Sequence, residues 1–204
     1  MSALQVVFPE DHFLHKKPDA MLKDQFDAFI AKGLDVCTIN LDNWAIHNAK
    51  PENKALYRGW MLNKADYKLL IKAFEDNDMI PYTNLENYLA THYLPNWYPL
   101  IKDLTPETVV FSADDDLEKE LRNLDWKRFF IKDYVKSLKT SVGSIIDSAT
   151  QINLLLTEMK KFRGTIEGGI CVRKVENFIP ETEKRYFVIE GTIYASNGKK
   201  LYQV

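Results

Sequence analysis

Arg128-Phe129-Phe130-Ile131-Lys132-Asp133-Tyr134-Val135-Lys136-Ser137 is the stretch on which the reading of this chain turns. Its aromatic and β-branched content predicts a strand. Alternate side chains of a strand share a face. Phe129, Ile131, Asp133 and Val135 therefore fall on one side, and Phe130, Lys132, Tyr134 and Lys136 on the other. Two ammonium groups then project from one face of an otherwise apolar element. Burying an ammonium is costly unless it meets an anion. The pair predicts a polyanionic ligand, with a nucleoside triphosphate as first candidate. The alternative is an edge strand whose lysines face water and discourage pairing.

The rest of the chain bounds the answer. It has 204 residues, 46% of them hydrophobic, which suffices for one large domain or two small ones. A net charge of -2 gives no drive toward nucleic acid or an anionic membrane, so any basic site must be local. Cys37 and Cys171 sit in apolar, strand-like runs and read as buried small hydrophobes. The N-terminus has no basic segment followed by an apolar run, and nothing approaches a membrane span. The expectation is a soluble, cytoplasmic protein.

Outward from the lysine stretch, the N-terminal half alternates. Leu4 to Phe8 reads as a strand, and Pro18 opens a helix with an apolar stripe of Leu22, Phe26, Phe29 and Ile30. Gly33 closes that helix and Leu34 to Ile39 is a second strand, which makes a βαβ unit. Leu56 to Leu62 is strand-like. Asn63 caps a helix buried through Tyr67, Leu70, Ile71 and Phe74. Met79 to Tyr82 is a strand. Leu85 to Leu94 is a helix that Pro95 stops, and Trp97 to Leu104 is an aromatic connector. Thr105-Pro106 is turn chemistry and marks a boundary.

Beyond it come a strand at Thr108 to Phe111, an acidic-start helix at Asp114 to Leu124, and the lysine strand. A loop of small hydroxylated residues follows, with Lys139, Thr140, Ser141, Gly143 and Ser144. Such a loop can hold phosphate oxygens, or it is an ordinary connector. Ile152, Leu155, Leu156 and Met159 give the next helix its buried face. Ile170 to Val175 is a strand carrying Arg173. Tyr186 to Ala195 is a hairpin turning at Glu190-Gly191, with Arg185 at its mouth and another strand after Asn197-Gly198. An arginine facing the same cleft as two lysines would complete an anion clamp, whereas Arg185 beside Glu183 could equally form a surface pair. His12 and His15 lie in a loop-like stretch, so a metal site there is not expected.

The order "FFIKDYVKS", small-residue loop, helix, "RGTIEGGICVRKVENF", then "ETEKRYFVIEGTIYAS" resembles the ATP-grasp superfamily. It is most similar to the bacterial and phage clade named for an arginine and paired lysines, and "LYRGWML" and "HYLPNWYPL" resemble the N-terminal part of that clade. The resemblance implies an α/β fold. Residues 1–104 would be a Rossmann-like pre-ATP-grasp domain, and residues 105–204 the ATP-grasp nucleotide-binding region. It implies ATP as ligand, with Lys132 and Lys136 on the α- and β-phosphates and the loop from Lys139 through Ser141 to Ser144 as a lid. Val175 and Glu176 would read the adenine edge. Arg185, with Arg173, would stabilise the transferred phosphoryl group.

The implied reaction joins a carboxylate to an amine through an acyl phosphate, with magnesium bridging the phosphates. The partner would be a small molecule or a peptide. The acidic residues that hold magnesium in the family come on later strands, and none of Glu176, Glu181, Glu183 and Glu190 matches them. The ATP-grasp region therefore reads as C-terminally short. That leaves a non-catalytic nucleotide- or partner-binding module as the alternative. An exposed sheet edge would also allow pairing into a homodimer.

Overall fold

The computed structural model describes residues 3–137, 143–189, 191–196 and 200–203. The first sheet holds β1 (Leu4–Pro9), β2 (Asp35–Ile39), β3 (Ile46–His47), β4 (Lys54–Tyr57) and β5 (Ile80–Pro81), in the order β3-β2-β1-β4-β5. β1, β2, β4 and β5 run parallel, and β3 returns antiparallel beside β2. Helix α1 (Lys23–Ala31) makes the βαβ crossover that the sequence predicts. β1 explains itself by alternation. Val6 and Phe8 pack with Leu22, Phe26 and Phe29, while Val7 packs on the far face with Tyr67, Leu70 and Phe74. A central parallel strand is covered on both faces, so its apolar run is nearly continuous.

Helix α2 (Lys64–Glu75) begins where Asn63 Oδ1 accepts the Asp66 N–H at 2.8 Å. The strand-like run before it is shorter than predicted: β4 ends at Tyr57, and residues 58–63 lead from the carboxyl end of the sheet into α2. The larger correction concerns Pro95. Helix α3 (Leu85–His92) stops at His92, and Pro95 lies in the first turn of a new helix, α4 (Leu94–Ile101), rather than ending the old one. A proline in the first turn sacrifices an N–H that has no helical partner anyway. The predicted aromatic connector is therefore mostly helix.

The second sheet holds β6 (Thr108–Phe111), β7 (Phe129–Asp133), β8 (Ile145–Ile146) and β9 (Ile170–Lys174) in the order β6-β9-β7-β8, antiparallel throughout. Helices α5 (Leu117–Arg122) and α6 (Ile152–Arg163) cover one face. Leu117, Leu121, Ile152, Leu155 and Met159 close over Phe129, Ile131, Ile170 and Val172. The acidic-start helix is shorter than predicted because Asp116 is its cap. β10 (Tyr186–Ile189), β11 (Thr192–Ala195) and β12 (Lys200–Gln203) form a third, antiparallel sheet. Ile189 pairs with Thr192 in the predicted hairpin, and Glu190 of its turn lies outside the described residues. All four residues of β10 are exposed. No helix among the described residues is long and apolar enough to cross a membrane. The whole is a mixed α/β molecule.

Candidate functional site

β7 is the middle of the site. Lys132 stands opposite Cys171 and Phe130 opposite Arg173. Opposed residues of an antiparallel pair share a face, so Phe130, Lys132, Cys171 and Arg173 lie together, away from the α5–α6 core. Lys132 and Arg173 come from segments 41 positions apart and meet as diagonal neighbours. Cys171 is buried beneath them, and burial pushes its thiol up to about 12.

Lys136 departs from the expected pattern. The strand ends at Asp133, whose Oδ1 accepts the Val135 N–H at 2.8 Å and the Lys136 N–H at 2.5 Å. The chain turns there, and Ser137 comes back to bridge Lys132. Aspartate favours such local side-chain bonds to the backbone two or three residues on. Lys136 is therefore in the turn, not on the strand face. Its Nζ donates to the Met61 carbonyl, 3.0 Å away, at the carboxyl end of the first sheet. Both ammonium groups disfavour positive charge on His92.

Arg173 is partly committed. Its Nε donates to Thr108 Oγ1 at 3.2 Å, one Nη donates to Thr105 Oγ1, and its guanidinium lies 5.9 Å from the Trp97 ring centre. Burial lowers its pKa. Beside it opens a mostly apolar slot of about 320 Å³, walled by Phe130, Ile145, Val175 and Phe178, with Arg173 and Glu176 at its polar edge. Val175 and Glu176, which the resemblance implies at the adenine edge, line this slot. Ser144 is buried, and its carbonyl accepts the Ile131 N–H at 2.7 Å. Lys139 and Ser141 lie outside the described residues. Arg185 is exposed ahead of β10 and does not line the slot.

A second cavity, of about 330 Å³, separates α2 from the β7 turn. Asn63, Asp66, Asp133, Lys136 and Glu167 supply its polar walls. The seam around it is stitched across the two sheets. The Leu94 N–H donates to Tyr134 O at 2.9 Å. Tyr93 Oη donates to Glu167, which also accepts the Lys64 N–H at 3.4 Å. The Tyr134 ring lies flush on Gly168, where φ is +78° and a Cβ would come within 2.1 Å of ring carbon. Tyr93, Glu167 and His92 lie within the quoted motifs, but the sequence reading gives none of them a role. The quoted "EGG" and "HYLPNWYPL" include Glu167 and His92, but neither motif marks its residue as functional.

No protein-family model matches the chain, and no curated protein matches its sequence. Solved structures do match its fold. A RimK domain protein ATP-grasp from Sphaerobacter thermophilus superposes with a TM-score of 0.58 at 11% identity, covering 96% of this chain and 74% of that one. D-alanyl-alanine synthetase A from Vibrio cholerae gives 0.51 at 11% identity, covering 98% and 65%. The ATP-grasp ligase PsnB, solved with a minimal precursor, gives 0.50 at 11% identity, covering 94% and 69%. The chain has the ATP-grasp fold. On this fold the chain spans about two thirds to three quarters of the length of those three proteins. Among the described residues, no three His, Cys, Asp or Glu side chains gather so as to hold a metal ion. We assign no magnesium ligands.

Proposed function

We propose that this protein binds ATP and uses it to join a carboxylate to an amine. The single observation that carries the reading is Lys132 and Arg173 on one sheet face, with Arg173 at the edge of a mostly apolar slot. Apolar walls suit a purine, and adjoining cations suit phosphates, so these residues fit an adenine nucleotide. Phe130, Ile145, Val175 and Phe178 would enclose the base, with Glu176 at its edge. Lys132 would hold the phosphates, joined by Lys136 from the turn, and Ser144 would stand where the phosphate-covering loop returns to β8. Lys139, Ser141 and Arg185 would belong to the parts that close over the triphosphate. Residues 1–104 would form the pre-ATP-grasp domain and 105–204 the nucleotide-binding region.

In the reaction, a carboxylate oxygen takes the γ-phosphoryl group and ADP leaves; the amine then attacks the acyl carbon and releases phosphate. The chain's cations would offset charge on the transferring group, which is the main demand of phosphoryl transfer. The other substrate would be a small molecule or a peptide. The placement in the clade with paired lysines rests on the order of the quoted motifs.

Thermal shift with ATP tests the binding half. Wild type is expected to gain several degrees, and K132A to gain none. An equal gain in K132A removes the site assignment. ADP release across a panel of acids and amines tests the chemistry. Tight ATP binding without turnover on any pair would leave a nucleotide-binding module instead.

A further inference from the structure

His92 ends α3 on the seam between the two sheets. Its ring stacks on Tyr88, with centroids 4.7 Å apart and planes at 20°, and Tyr88 stacks on Tyr67 at 3.6 Å and 8°. Both tyrosines are pinned. Tyr67 Oη donates to Thr83 O at 2.9 Å, and Tyr88 Oη donates to Leu62 O at 2.6 Å. The imidazole is therefore the last plate of a fixed aromatic column. Two residues on, the Leu94 N–H holds Tyr134 O, which lies between Lys132 and Lys136 in the chain. His92 Nε2 is buried and has no hydrogen-bond partner among the described residues. A buried ring nitrogen without a partner is uncommon in a folded protein.

We propose that His92 is a third ligand to the anion held by Lys132 and Lys136, its imidazole taking up a proton as the anion arrives. The inference rests on the proposed nucleotide reading of those lysines. Lys136 reaches the same seam, its Nζ on the Met61 carbonyl next to the Leu62 carbonyl that holds Tyr88, the stacking partner of His92; the fields of Lys132 and Lys136 both disfavour imidazolium, while Asp66 and Glu167 act on Tyr88. With no anion bound, burial first and the two ammonium groups second hold the imidazole below its ordinary range, so it is neutral at pH 7. A phosphate between the lysines reverses the local field and favours imidazolium. His92 would then donate to a phosphate oxygen, and binding would draw a proton from solution.

Imidazole signals followed by NMR against pH, with and without saturating ADP, test this in the whole chain. The chain has four histidines, and the signal lost in H92Q identifies His92. ADP is expected to raise the His92 midpoint by about one pH unit, a roughly tenfold coupling between proton and ligand. Calorimetry in buffers of different ionisation heat is expected to show proton uptake in wild type beyond that in H92Q, which cancels the ligand's own titration. If ADP binds, K132A abolishes that binding, and the His92 midpoint stays put, His92 is no ligand while the nucleotide reading stands. If ADP does not bind wild type at all, both readings fall.

Discussion

Gly168 shows how far one hydrogen atom can matter. Its φ of +78° is one that other residues adopt at a cost, and the Tyr134 ring occupies the space a methyl group would need. G168A is expected to lower unfolding stability by about 1–3 kcal/mol, read by urea denaturation. Adding Y134A should recover part of that loss, because the clash goes while the backbone strain remains. Asn63 makes a second residue-scale case. Removing its cap in N63A should cost about 1 kcal/mol. The cap was legible in the sequence because its chemistry is local. So was the face shared by Phe130 and Lys132, which depends only on strand alternation. Lys136 was misplaced because an aspartate-led turn overrides alternation, and nothing in a period-two pattern announces it. The setting of His92 was illegible for a different reason: Tyr88 stacks on it from one helical turn away, but Lys132 and Lys136 lie 40 or more positions further along the chain.

Helices and strands divide by how local their signals are. α6 was readable from Ile152, Leu155 and Met159 at helical spacing, and all three are buried. L155A should leave a cavity and cost about 2–5 kcal/mol in the same denaturation measurement. α4 was misread. A proline such as Pro95 can close the helix before it or open the next one, and only the second holds here. α4 then has a task that sequence alone does not disclose. Its Trp97 lies against Arg173, and Tyr98 Oη accepts the Thr108 N–H at 3.0 Å, so the helix braces the edge of the second sheet.

For the molecule as a whole, burial of titrating groups sets the alkaline limit. Burial holds the thiols of both Cys37 and Cys171 up at about 12. An unfolded chain releases those protons near its ordinary thiol value, about 8.5. The folded state keeps them to higher pH, so stability is full below that value and falls as pH rises toward 12. The expected slope is about 1.4 kcal/mol per pH unit for each thiol, seen as a falling melting temperature above about pH 8.5. C37A and C171A should flatten it. The order of the sheets was less legible than the strands themselves. β9 lies between β6 and β7 although it comes after both in the chain, and pairing over such distances leaves no local trace.

The ring of Tyr134 on the bare backbone of Gly168 also constrains how this chain can diverge in its descendants. Position 168 is not free to drift by itself. A lineage that gained a side chain at 168 would first have to shrink the one at 134, and in doing so would loosen the turn that carries Lys136. The two positions should therefore be inherited as a pair.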